Sequence, residues 1–73
     1  MTEKVRILVA EDESLIRLDI VETLIEAGYD VVANVGDGEE ALAMAADHEP
    51  DLAILDVKMP KLDGISVAAK LQE

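Results

Sequence analysis

The chain has no cysteine, so it carries no disulfide framework and no thiolate metal site. That fits a reducing compartment. No apolar run approaches the roughly 18 residues that a membrane span needs. The start, Met1-Thr2-Glu3-Lys4-Val5-Arg6, lacks the basic, apolar and small-residue layout of a secretory signal and runs straight into a strand-like stretch. A cytoplasmic location is expected. Positive charge is scarce: 6 Lys and Arg stand against 17 Asp and Glu, for a net charge of −11. A nucleic-acid surface needs clustered cations to displace counterions, so direct nucleic-acid binding is not expected, and neither is attachment to an anionic membrane. At 73 residues the chain holds one domain at most. A domain of this size buries only about 60% of the surface that its unfolded chain exposes.

Three short apolar runs are present: Ile7-Leu8-Val9-Ala10, Val31-Val32-Ala33-Asn34-Val35 and Leu52-Ala53-Ile54-Leu55. Such runs, rich in β-branched residues, suit strands buried on both faces. Helical patterns lie between them. From Ser14 to Ala27 the residues Ile16, Ile20 and Leu24 recur every fourth position, flanked by Val21 and Ile25, with Ser14 as expected N-cap and Gly28 as C′ glycine. A second helix opens at Asp37-Gly38-Glu39-Glu40, a capping-box-like start. Its inner face is Ala41, Leu42, Ala45 and Ala46, and Pro50 closes the segment. A third helix is expected from near Ile65 to the last residue, Glu73. The order β-α-β-α-β-α implies a parallel sheet with right-handed crossovers. No repeat, linker or low-complexity tract interrupts it.

In an open parallel sheet, ligands bind beyond the carboxyl ends of the strands. The first strand exits into Glu11-Asp12-Glu13 and the third into Asp56. Carboxylates gathered at one sheet edge repel one another and call for a cation. With oxygen donors alone, a hard divalent ion such as Mg²⁺ is expected, and Mg²⁺ commonly keeps waters and takes a phosphate oxygen. Asp56 is followed by Lys58-Met59-Pro60-Lys61-Leu62-Asp63-Gly64, where Pro60 fixes one φ angle and Asp63-Gly64 signals a turn. Taken singly, the acids also suit a solvated loop and the segment an ordinary strand-to-helix connection.

Taken together, Val9-Ala10-Glu11-Asp12-Glu13, Asp56 and the stretch from Asp56 to Gly64 resemble the signature of response-regulator receiver domains, in the right order and at the right separation. The resemblance covers the whole chain. It implies a flavodoxin-like, doubly wound α/β fold, with residues 1–73 as the N-terminal portion of one receiver, truncated to three β-α units in strand order 2-1-3. It implies that Asp56 is the phosphoacceptor and that Mg²⁺ is held by Asp12 and Asp56 directly, by the backbone carbonyl of Lys58, and by Glu11 through water. The donor would be a phosphohistidine on a sensor histidine kinase, or a small acyl phosphate. Many relatives carry two aspartates where this chain has Glu11-Asp12, and the longer arm of Glu11 changes its reach. A complete receiver has five strands, the fourth ending in Ser or Thr and the fifth in a Lys that pairs with the phosphoryl group. Lys58, Lys61 and Lys70 do not stand in for that Lys, because they belong to a different element. The stretch from Asp56 to Ile65 looks most like receivers of antiterminator-type regulators, implying control of transcription or antitermination.

Two rival readings use the same residues. Gly36-Asp37-Gly38-Glu39-Glu40-Ala41 fits G-x-G-x-x-A and opens a helix, as a dinucleotide site does. It follows the second strand, however, and its acids would face a pyrophosphate with like charge. Alternatively the chain is a self-associating scaffold without phosphotransfer, a homodimer joined through an exposed third strand, Leu52-Ala53-Ile54-Leu55. No Ser-His-Asp or P-loop pattern is present, so no enzyme activity is expected. His48, beside Asp47 and Glu49, reads as a solvated helix-end residue. Met44 and Met59 read as packing, and Tyr29 as cover for the core edge.

Overall fold

The computed structural model describes residues 4–56 and 63–71. Strand β1 (Arg6–Ala10), helix α1 (Ser14–Glu26), β2 (Asp30–Val35), α2 (Gly38–His48), β3 (Leu52–Leu55) and α3 (Gly64–Leu71) follow one another in that order. The expected alternation is therefore present, and each apolar run forms its strand. The sheet is parallel, in order β2-β1-β3.

β1 is central and is the strand truly buried on both faces. Ile7, Leu8, Val9 and Ala10 are each at most 1% exposed. Leu8 and Ala10 point to the side of α2 and α3, where they join Val35, Ala41, Ala45 and Val67 in the core. By the alternation of a strand, Ile7 and Val9 face the opposite side, toward α1. β2 and β3 differ from the expectation of two buried faces: most of their residues are only partly covered, and Leu52 is exposed. Each flanks β1 with one edge unpaired among the described residues.

A register shift falls between Ile7 and Leu8: Ile7 lies opposite Val31, but Leu8 lies opposite Ala33. One extra residue in β2 reverses which of its side chains share a face with Leu8. The shift delivers Ala33 and Val35 to the α2–α3 core alongside Leu8 and Ala10.

The helix ends follow local chemistry. Asp37 is the N-cap of α2, its carboxylate accepting from the Glu40 amide at 2.8 Å. Asp63 does the same for α3, accepting from the Ser66 amide at 2.8 Å. α1 ends in a Schellman arrangement: Gly28 takes φ +97°, its amide donates to the Ile25 carbonyl, and the Tyr29 amide donates to that of Leu24. α2 ends at His48, with Glu49 left-handed at φ 45° before Pro50.

Three expectations need correction. Ser14 is the first helical residue, and Glu13 holds the N-cap position without a side-chain cap; the Glu13 amide donates to the Glu11 carboxylate. Ala46 lies exposed while Ala41 and Ala45 are buried, so the inner face of α2 is narrower than its small residues suggest. α1 buries no residue fully: Ile20, Val21 and Leu24 are half-covered, but Ile16 and Ile25 are 46% and 56% exposed. Its partners are β1 and β2, too narrow a surface for a helix of 13 residues. α3 starts one residue before Ile65, and Gln72 and Glu73 lie outside the described residues. Tyr29 is 39% exposed. Met44 packs against the core as expected, and Met59 lies outside the described residues. No described helix is long and apolar enough to cross a membrane.

Candidate functional site at the strand exits

Sheet register builds the site. The last ladder pairs of β1 are Ala10 with Val35 on one side and Ala10 with Leu55 on the other. One residue further on, the Glu11 amide donates to the Val35 carbonyl at 3.0 Å and the Asp56 amide donates to the Ala10 carbonyl at 2.9 Å. The main chains of Glu11 and Asp56 are therefore fixed by the sheet itself. Both side chains emerge at the carboxyl edge, on neighbouring strands.

Asp12 joins them from the first loop residue beyond the ladder. Glu11, Asp12 and Asp56 each offer a carboxylate oxygen, and these oxygens all lie within 4.8 Å of one another. Glu11 and Asp56 are half-buried and Asp12 is exposed. Three anionic oxygens so close repel. The Glu11 carboxyl is held above the usual glutamate range. Partial desolvation contributes most, followed by hydrogen bonding to Asp12 and Asp56 and the like charge of Asp56; the Glu13 amide opposes the rise. That amide donates to Glu11 Oε2 at 3.3 Å, so the longer Glu11 arm folds back along its own loop.

The donor set is all hard carboxylate oxygen, open on the solvent side, with the spacing that one small divalent cation can bridge. No cysteine is present to serve a thiolate-seeking metal. The sequence expectation for Glu11, Asp12 and Asp56 as neighbours thus holds in space. Glu13, which shares their run, is not part of the cluster; it is the N-cap of α1. The Lys58 carbonyl, the fourth expected ligand, lies outside the described residues.

The dinucleotide alternative fares poorly at the α2 N-terminus. The Asp37 carboxylate occupies the position where a phosphate would meet the amides, and Asp37 is 7% exposed. One residue went unnoticed in the sequence. Arg17, on the first turns of α1, donates from Nη1 to the Glu11 carbonyl at 2.8 Å. An arginine one turn beyond an acidic loop was the available signal.

Residues 7–73 match the family described as response regulator receiver domain. The transcriptional regulatory protein PdtaR of Mycobacterium tuberculosis is 54% identical over 66 residues, which cover 90% of this chain and 32% of PdtaR. The chain thus spans about a third of that relative's length. Among solved structures, the signal receiver domain of NarL from Mycobacterium tuberculosis superposes with a TM-score of 0.93 at 40% identity, covering 97% of this chain and 58% of that one. The CheX-CheY-BeF3-Mg²⁺ complex of Borrelia burgdorferi gives a TM-score of 0.85 at 26% identity, covering 92% and 52%. The fold with strand order 2-1-3 is therefore the flavodoxin-like fold of these domains, and the chain belongs to the response regulator receiver domain family.

Proposed function

We propose that residues 1–73 are the N-terminal portion of a receiver domain that takes a phosphoryl group on Asp56 with Mg²⁺ held beside it. One observation carries the reading: carboxylate oxygens of Glu11, Asp12 and Asp56 lie within 4.8 Å of one another at the exits of adjacent strands. In this reading Asp12 and Asp56 bind the ion directly, Glu11 acts through water, and the Lys58 carbonyl completes the protein ligands. When bound, Mg²⁺ supplies charge neutralisation for the carboxylates and for the incoming phosphoryl oxygens. A receiver solved with BeF3 and Mg²⁺ shares this fold and supports the assignment.

The chain's own part is nucleophilic. A carboxylate oxygen of Asp56 attacks phosphorus, an O–P bond forms, and the bond from phosphorus to the donor's imidazole nitrogen breaks. The imidazole leaves with the electron pair and takes up a proton. The sheet ladder supplies positioning, because the Asp56 amide is tied to Ala10. The donor in this reading is a sensor histidine kinase in the cytoplasm, or a small acyl phosphate. The output is control of transcription, with antitermination favoured by the look of the stretch from Asp56 to Ile65.

Incubation with acetyl phosphate and Mg²⁺, followed by intact mass measurement, tests the proposal. Wild type should gain an acid-labile phosphoryl adduct, and Asp56→Asn should not, since Asn keeps the size but lacks the anionic nucleophile. Equal labelling of the variant would move the acceptor elsewhere.

A second reading has its own support. β3 pairs on one side only among the described residues, and Leu52 at its start is 51% exposed. A short apolar edge is a template for strand pairing. In this reading two copies join through β3 as a homodimer.

A further inference from the structure

We infer that Arg17 is a positioning residue for the metal-binding carboxylates, and that Gly36 is the seat its guanidinium needs. The inference rests on the reading of Glu11, Asp12 and Asp56 as a Mg²⁺ site.

Four hydrogen bonds fix the loop that presents the acidic pair. The Glu11 amide donates to Val35 of β2 at 3.0 Å, the Glu13 amide to Glu11 Oε2 at 3.3 Å, and the Arg17 amide to the Glu13 carbonyl at 2.9 Å. Arg17 Nη1 supplies the fourth, at 2.8 Å, to the Glu11 carbonyl. Among these, the Arg17 guanidinium is the one side-chain donor to the peptide that joins Glu11 to Asp12. Rotating that peptide would swing both carboxylates against Asp56. A bond to a charged donor resists that rotation more than a neutral one does.

The guanidinium reaches this peptide by passing over the β2–α2 connection. A Cβ built on Gly36 would lie 2.8 Å from Arg17 Nη1 and 3.9 Å from its Cζ, and it meets nothing else within 4 Å among the described residues beyond its chain neighbours. Gly36 has an ordinary backbone conformation and is not among the positive-φ residues. Its lack of a side chain therefore serves the arginine rather than the turn. An added methyl would displace the flexible guanidinium and leave the surrounding backbone in place. Arg17 thus couples three elements, α1, the β1 exit and the β2 exit, at the point where the acidic pair leaves the sheet.

Wild type, Arg17→Met, Gly36→Ala, the double variant and Arg17→Lys decide the matter. Amide shifts of Asp12 and Glu13 during a Mg²⁺ titration give the affinity. Hydrogen exchange of the Glu13 amide in metal-free protein reports the loop directly. Arg17→Met should weaken Mg²⁺ binding by about tenfold, the lower end for loss of a group that orients a ligand. Gly36→Ala should match it, and the double variant should be no worse than either single, because both remove the same contact. Arg17→Lys should recover part of the affinity, and Glu13 exchange should quicken in both single variants. Gly36→Ala keeps every native side chain, so it speaks even where Arg17→Met folds poorly. Wild-type affinity in both single variants, or losses that multiply in the double variant, would overturn the inference. Should wild type show no Mg²⁺ shifts at residues 11–13, the metal reading fails. Glu13 exchange then still decides: faster exchange in both variants upholds Arg17 as the loop's anchor, and unchanged exchange removes it.

Discussion

Glu11 holds its proton more tightly than an ordinary glutamate, because its carboxylate is partly desolvated and shares its space with Asp12 and Asp56. The folded chain therefore binds more protons at this group than the unfolded chain does, in the window above the ordinary value of 4.5. Stability falls wherever the folded state binds more protons and pH rises. The contribution from Glu11 is thus most favourable below the ordinary value and is lost as pH climbs through the raised one. A divalent ion competes for the same oxygens. Urea midpoints measured from about pH 5 to about pH 8 should decline in metal-free wild type. Glu11→Gln, which keeps the arm but removes the charge, should flatten the decline, and millimolar Mg²⁺ should flatten it in wild type alone. An equal slope in Glu11→Gln would place the strain on other acids. The Glu11 arm reaches back to the Glu13 amide, so Glu11→Asp should release that amide and speed its exchange.

Helix termini dominate at the scale of elements, since the helices are short. α2 has 11 residues and α3 has 8, lengths at which an isolated helix is marginal. Asp37 caps α2 from a nearly buried position. Asp37→Ala should cost about 1 kcal/mol or somewhat more of stability by urea unfolding, with the Glu40 amide losing its protection from exchange. At the C-terminal end of α1, Gly28 sits at φ +97°, and a Cβ built there would have no described residue within 4 Å beyond its chain neighbours. Gly28→Ala therefore meets no steric neighbour among the described residues and carries the backbone penalty, about 1 kcal/mol. A larger loss would mean that the Schellman turn has been given up altogether. Capping by Asp37 and Gly28 was legible in the residues because both effects are local. The N-terminus of α1 was not: Ser14 is a good cap by type, but the helix takes it as its first residue and leaves Glu13 at the N-cap, a one-residue difference that residue types do not fix.

For the whole molecule, charge and coverage oppose each other. The net charge of −11 keeps copies apart, while the one-sided pairing of β3 and the exposed Leu15, Ile16, Leu18 and Ile25 of α1 leave apolar surface uncovered. Raising ionic strength from about 0.01 M to about 0.15 M shortens the screening length from roughly 30 Å to roughly 8 Å. Self-association through β3 should therefore strengthen with salt, and further with Mg²⁺, as followed by sedimentation equilibrium over a concentration series. Leu52 is 51% exposed, so Leu52→Lys can break the edge with little damage to the core. The expected result is a weaker dimer with a nearly unchanged monomer fold. A cooperative monomer at all salt concentrations would remove the β3 dimer.

The alternation of strands and helices, the three strand runs and the acids at their exits were set by the chain's own residue order. Strand runs and helical periodicity are local rules, and each forms its element, but only β1 is buried on both faces, and along α1 Ile20, Val21 and Leu24 are half-covered while Ile16 and Ile25 are exposed. The residues alone could name Glu11, Asp12 and Asp56 as candidates. Tertiary structure decided that they meet, because Ala10 is the last ladder partner of both Val35 and Leu55 and the next residue of β1 and β3 is acidic. It also decided what no run of residues displays: the extra residue in β2 that turns Ala33 and Val35 toward α2, the half-covered state of α1, and the reach of Arg17 over Gly36. Each of these depends on which chain segments lie side by side. Sequence periodicity encodes which face of an element is apolar, but the partner across that face is fixed only when the sheet assembles.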